Sequence, residues 1–310
     1  PHTRPISRRT DPNHNHLKEK SVLTTLSPLR AALTFYAMAV ALVTLVALTG
    51  GSTSVAMLTP LVSMLLMLLL VTREGWSRHG WASLGLHRLG LRSWPVAILV
   101  PTVIFTLAAL ALIVTGTATW QPQGQAAGVP MMLWPGAFLI NIAFASLTVS
   151  LTEEIGWRGY FLPRLASLGE RVALVLSGLL HGLWHLPVIL LTTLYLADGS
   201  PLVVIPMFLV CVTAGGVFMG WLRLRTDSVW PAVIAHSAHN VSVAWVAELL
   251  VGDARAMERL GGESGIVPIL AYLAVAAFLL LRARTSIQPS SVLAASQAAT
   301  KSLTGATTQT

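Results

Sequence analysis

Long apolar stretches separated by short polar connections run down most of the chain. Crossing a hydrocarbon core of about 30 Å takes roughly 20 apolar residues as helix. Eight segments come close to that length: 31–49, 55–72, 96–116, 131–152, 172–196, 202–222, 229–251 and 265–281. The pattern predicts an all-α fold, a polytopic membrane bundle of about eight transmembrane helices. Pro60, Pro101, Pro187 and Pro206 fall inside these segments, which membrane helices tolerate when neighbours re-satisfy the freed backbone groups. The stretch 73–95 differs: Trp76, Trp81 and Trp94 alternate with arginines and leucines, the make-up of a connector lying at the headgroups. The basic N-terminal tail 1–27 and the tail 285–310 are polar and predicted to be disordered. The bundle therefore occupies 28–284.

Charge placement adds an orientation. Arg8, Arg9, Lys18 and Lys20 precede the first segment. Arg73, Arg78, Arg88 and Arg92 lie in the second connection, Arg158, Arg164 and Arg171 in the fourth, Arg223 and Arg225 in the sixth, and Arg282 and Arg284 after the last. The intervening connections carry no net positive charge. Basic loops on alternate sides are the positive-inside pattern and put both termini in the cytoplasm. An odd number of crossings would break that alternation.

Composition agrees. Hydrophobic residues make up 54% of the 310 and charged residues only 10%, against about 25% charged in soluble domains. The net charge of +8 is confined to ends and loops, with no basic stripe interleaved with aromatics, so nucleic acid is not an expected partner. The single cysteine, Cys211, excludes an intrachain disulfide framework and a Cys-rich zinc site. Membrane lipid is the partner the composition demands.

Ionisable groups at membrane depth are few and costly, and they usually face a bundle interior or a wet cavity. Apart from Glu248, they fall in three clusters. In "TEEIGWRGY", Glu154 and Arg158 stand at i and i+4 and can pair on one helical face, while Glu153 is rotated about 100° away. Arg158 is then expected to neutralise Glu154 and leave Glu153 free for acid–base chemistry on water. The alternative is a structural ion pair at a helix end. In "GLLHGLWHLP", His181 and His185 share a face at a spacing that also suits metal ligation. In "PAVIAHSAHNVS", His236 and Asn240 share a face with His239 beside them, and an imidazole with a carboxamide can donate to a developing oxyanion. The alternative there is helix–helix hydrogen bonding, worth only about 0.6 kcal/mol on average in membranes. Taken together, the clusters point to a hydrolytic site. A small transporter would also explain buried charge, but the chain shows no paired half-helices or inverted repeat.

The order E-E-x-x-x-R, then a motif ending in His185, then H-x-x-x-N resembles the CPBP family, also called ABI or CAAX-protease-like. That family includes the Ras-converting type II CAAX prenyl endopeptidases and many bacterial membrane proteins. The resemblance covers the core 131–251. It implies an eight-helix intramembrane endopeptidase with its site near the cytoplasmic face, in the cell membrane of a prokaryote. Carried over, Glu153 and His185 activate water, His236 and Asn240 stabilise the oxyanion, and Glu154 and Arg158 support them. The substrate implied is a peptide or protein, lipidated in the eukaryotic members. The resemblance allows a divalent metal such as Zn2+ on Glu153, His185 and His236, and equally a metal-independent water. It also allows a non-catalytic scaffold or bacteriocin-immunity-type member. The family's second motif is usually F-x-x-x-H, and here His181 replaces the Phe, as a neutral swap or an extra ligand. His181 and His239 have no assigned role at this point.

Overall fold

The computed structural model describes residues 26–192 and 200–283. Those residues are helical apart from short connections and one two-stranded ribbon. Among the described residues, seven helices are long and apolar enough to cross a membrane: Pro28–Leu48, Thr53–Val71, Leu91–Val114, Met131–Arg164, Glu170–Leu191, Pro201–Thr226 and Ala254–Arg282. The protein is a multi-pass integral membrane protein. The tails lie almost wholly outside the described residues, as does the end of the expected 172–196 segment.

Of the eight expected crossings, one does not meet that measure. The expected 229–251 segment is a 20-residue helix, Trp230–Leu249, long enough for a crossing but not apolar enough to stand among those seven. His236, His239, Asn240 and Glu248 lower its apolarity. The reason is positional, because ten of its residues are buried within the protein, among them Ala232, Ala235, Ser237 and Ala238. An interior helix carries polar groups that a lipid-facing one would not. By contrast, Leu99, Val103, Leu107 and Leu110 on Leu91–Val114 are exposed, and this outward apolar face meets lipid.

Local chemistry explains the helix ends. Ser27 caps the first helix, with Pro28 just inside it, where its missing N–H costs nothing. Asp253 caps Ala254–Gly261 by accepting from Ala256 N at 2.8 Å. Between the second and third crossings, the connector folds as a short helix, Arg78–Ser83, and docks on the loop before Trp230. Val229 N donates to Gly85 O at 3.2 Å, Trp230 Nε1 to Leu86 O at 3.1 Å, and Arg223 Nη2 to Ser83 O at 2.9 Å. Trp76, Leu89 and Leu91 stay exposed beside it.

At the other end of Trp230–Leu249, strand Leu250–Gly252 pairs antiparallel with Ala118–Trp120 in the register Trp120↔Leu250. Glu248 secures the same corner. Its carboxylate accepts from Ala126 N at 3.1 Å, and its backbone carbonyl accepts from Gln123 N at 2.7 Å. Both ends of the polar helix are therefore tied to neighbouring connections.

Candidate active site

The two carboxylates sit on an unusual backbone. Within Met131–Arg164, the single α-turn Leu151–Glu154 lies between two π segments, Ser146–Ser150 and Ile155–Phe161. Such widened turns occur often at functional sites. Gly156 lets this helix approach Thr53–Val71, since a Cβ there would stand 2.7 Å from Pro60 Cβ. Both acids are buried, Glu153 at 3% exposure and Glu154 at 0%.

The pairing follows the rotation expected of neighbouring helical residues. Arg158 Nη1 donates to Glu154 Oε1 at 2.9 Å, and Glu153 lies outside that pair. The same Glu154 oxygen takes His236 Nδ1 at 3.0 Å. Because a carboxylate only accepts, His236 carries its proton on Nδ1 here. Glu153 Oε2 instead meets His181 Nε2 at 3.0 Å. Its Oε1 takes no hydrogen bond among the described residues.

The histidine helix breaks where it is needed. Pro187 supplies no N–H and crowds the carbonyl four residues back, so helix Glu170–Trp184 ends at His185 and restarts as Leu186–Leu191. His185 N closes a tight turn on Gly182 O at 3.1 Å. His185 Nδ1 contacts His181 O at 3.0 Å. A carbonyl can only accept, so Nδ1 is the protonated nitrogen. Nε2 of His185 then keeps its lone pair and takes no partner among the described residues.

These side chains meet at one cavity. Glu153, His185, His236 and Asn240 all line it, with His181 and Arg158 in its wall. Its volume is about 60 Å³ of space for water-sized groups, several times the roughly 10–15 Å³ that one water needs. His239, on the same helix, lines it as well, with its ring nitrogens turned to other partners. Its Nδ1 lies 2.9 Å from Tyr272 Oη and its Nε2 3.8 Å from Glu263 Oε1.

Glu263 also lines the cavity and was not legible as a site residue. It sits in "GGESG" after Leu260, where it looks like one of several acids in an outer connection. Only the turn that starts Ile266–Arg282 brings it back inside. Glu248, the remaining ionisable residue at membrane depth, serves the ribbon corner rather than the cavity.

The donor set can be tested against a divalent metal. Ligand atoms of Glu153, His181 and His185 all lie within 4.8 Å of one another, so distance alone favours that trio. Hydrogen-bond chemistry does not. Arg158 Nη1 lies 3.0 Å from His181 Nδ1, and a guanidinium only donates. Nδ1 must accept, the ring proton is therefore on Nε2, and His181 has no free lone pair. By hydrogen bonding, Glu153, His185 and His236 each keep a ligand atom free among the described residues, although the 4.8 Å grouping contains His181 and not His236. Each imidazole has its Nδ1–H fixed by an acceptor, as second-shell partners fix the ligating histidines of metal sites.

Residues 135–242 match a family model described as "Type II CAAX prenyl endopeptidase Rce1-like". The matched stretch contains every motif residue from Glu153 to Asn240. No curated protein matches the chain.

Proposed function

Residues 135–242 are a domain of the Rce1-like type II CAAX prenyl endopeptidase family, and from that premise we propose that the chain is an intramembrane endopeptidase. The observation that carries the proposal is the shared cavity, where a free carboxylate oxygen, a free imidazole lone pair and a carboxamide surround space for water.

In this reading, Glu153 Oε1 and His185 Nε2 hold one water between them. As the water attacks the scissile carbonyl carbon, its proton passes to one of these two bases. Positioned general bases of this kind contribute about 10²–10⁴-fold. The carbonyl oxygen becomes an oxyanion and accepts from the Asn240 amide and from His236. Since His236 Nδ1–H is committed to Glu154, its Nε2 donates only when the ring is an imidazolium, and the Glu154 carboxylate is the adjacent counter-charge. Collapse of the tetrahedral intermediate breaks the C–N bond, and the leaving amine takes back the proton held by the base.

Glu153, His185 and His236 would hold a divalent ion, which supplies Lewis acidity and lowers the pKa of a bound water to about 7. The two versions use His236 differently: as a neutral ligand through Nε2 with a metal, and as a cationic donor without one. The substrate is a peptide or protein, and a lipidated one fits a site within the bilayer. In this reading the cavity lies near the cytoplasmic face of a prokaryotic cell membrane, an orientation that the positive-inside pattern supports, with Trp230–Leu249 as the eighth crossing.

Purified protein in liposomes, wild type and Glu153→Ala, tests the proposal against a panel of prenylated and unprenylated C-terminal peptides, with metal content measured on both. Cleavage by wild type alone is the expected result. Equal inertness across the panel would favour the non-catalytic scaffold or immunity-type reading instead.

A further inference from the structure

His181 is a buried polar residue of the cavity wall that the reaction above does not use. Its surroundings are nonetheless fully specified. The ring is 4% exposed and lies against Trp157, with centroids 4.9 Å apart and planes 31° apart. Trp184 flanks it at 5.9 Å.

The donor–acceptor logic then allows one neutral tautomer. Arg158 Nη1 donates to His181 Nδ1 at 3.0 Å, which leaves Nε2–H to donate to Glu153 Oε2 at 3.0 Å. The same Nη1 donates to Glu154 Oε1, and that oxygen orients His236. One guanidinium nitrogen therefore connects both halves of the cavity, with Glu153 reached through His181 on one side and His236 through Glu154 on the other.

We propose that His181 is a positioning residue: an imidazole held by Arg158 as the Nε2–H tautomer, pinning one oxygen of Glu153 so that the other faces the water, and not a metal ligand. This rests on the endopeptidase reading for its kinetic consequence but not for its hydrogen bonds. A phenylalanine at this position would keep the packing against Trp157 and Trp184. It would leave Glu153 Oε2 without its donor and Arg158 with a proton facing an aromatic edge. A glutamine could both accept from Arg158 and donate to Glu153.

The test compares wild type, His181→Phe and His181→Gln by steady-state cleavage, metal content and ring-nitrogen NMR of histidine-labelled protein. The expected result is a kcat lower by about 10–100-fold in His181→Phe, the usual cost of losing an orienting partner. KM should stay within about twofold, kcat should largely recover in His181→Gln, and metal content should equal wild type in both variants. The wild-type His181 signal should show the Nε2–H tautomer. Unchanged kcat in His181→Phe, loss of bound metal in that variant, or an Nδ1–H ring in wild type would each overturn the proposal. The tautomer is read without catalysis, so an inert wild type would count against the endopeptidase reading alone.

Discussion

Gly216 and Gly178 lie face to face, so that a Cβ built on Gly216 would stand 2.7 Å from Gly178 Cα and 2.9 Å from Arg158 Nη2. The contact joins Pro201–Thr226 to the histidine-bearing helix Glu170–Leu191. Close approach of small residues is how membrane helices pack, because lipid tails give no hydrophobic drive for association. Here the same contact also walls the arginine that holds Glu154.

Gly216→Ala should therefore destabilise the protein by about 1–3 kcal/mol, the range for overpacking a filled core, and should lower turnover through Arg158. Thermal unfolding in detergent and kcat on the same preparation check it. A variant as stable and as active as wild type would mean that the two helices part freely at this point.

Glu154 and Arg158 are both 0% exposed, and Arg158 Nε and Nη2 have no hydrogen-bond partner among the described residues. Removing the carboxylate would strand the guanidinium charge inside the bundle. Breaking a buried pair in this way typically costs about 3–5 kcal/mol, so Glu154→Ala should lose folded yield and melt well below wild type. Glu153→Gln, which leaves that pair intact, should melt close to wild type. Equal melting of the two variants would contradict the division of roles between the neighbouring acids.

The proposed orientation rests on the loop charges together with an eighth crossing by Trp230–Leu249. In a Cys211→Ala background, an impermeant thiol reagent on intact cells should label Gln121→Cys, and should label Ser77→Cys only after permeabilisation. A reporter fused to the C-terminus should be cytoplasmic. A C-terminus on the outer side would show that the polar helix does not cross.

Much of this arrangement is legible in the sequence because membrane burial penalises polarity heavily. Against an almost uncharged background, Glu153, Glu154, Arg158, His185, His236 and Asn240 stand out, and i,i+4 geometry alone gives the Glu154–Arg158 pair. Other features are set by tertiary contacts that no local pattern encodes. The π turns either side of Glu153 have no local sequence signature, and the second of them seats Gly156 against Pro60. The tautomers depend on which neighbour each ring nitrogen meets, and so His181, open between swap and ligand in the sequence, takes its place only when Arg158 is seen beside it. Glu263 reaches the cavity through a chain reversal. The polar helix falls below the apolarity of a crossing because it is an interior element, and counting apolar runs cannot separate interior from lipid-facing.

The central claim is that Glu153 and His185 act together on one water. The most direct measurement is the turnover of Glu153→Gln, His185→Ala and the double variant on a peptide that wild type cleaves. Residues acting as a unit are strongly non-additive, so each single variant should lose about 10²-fold or more and the double variant should be no slower than the singles. A single variant keeping near-wild-type turnover, or a double variant slowed by the product of the two single losses, would contradict it.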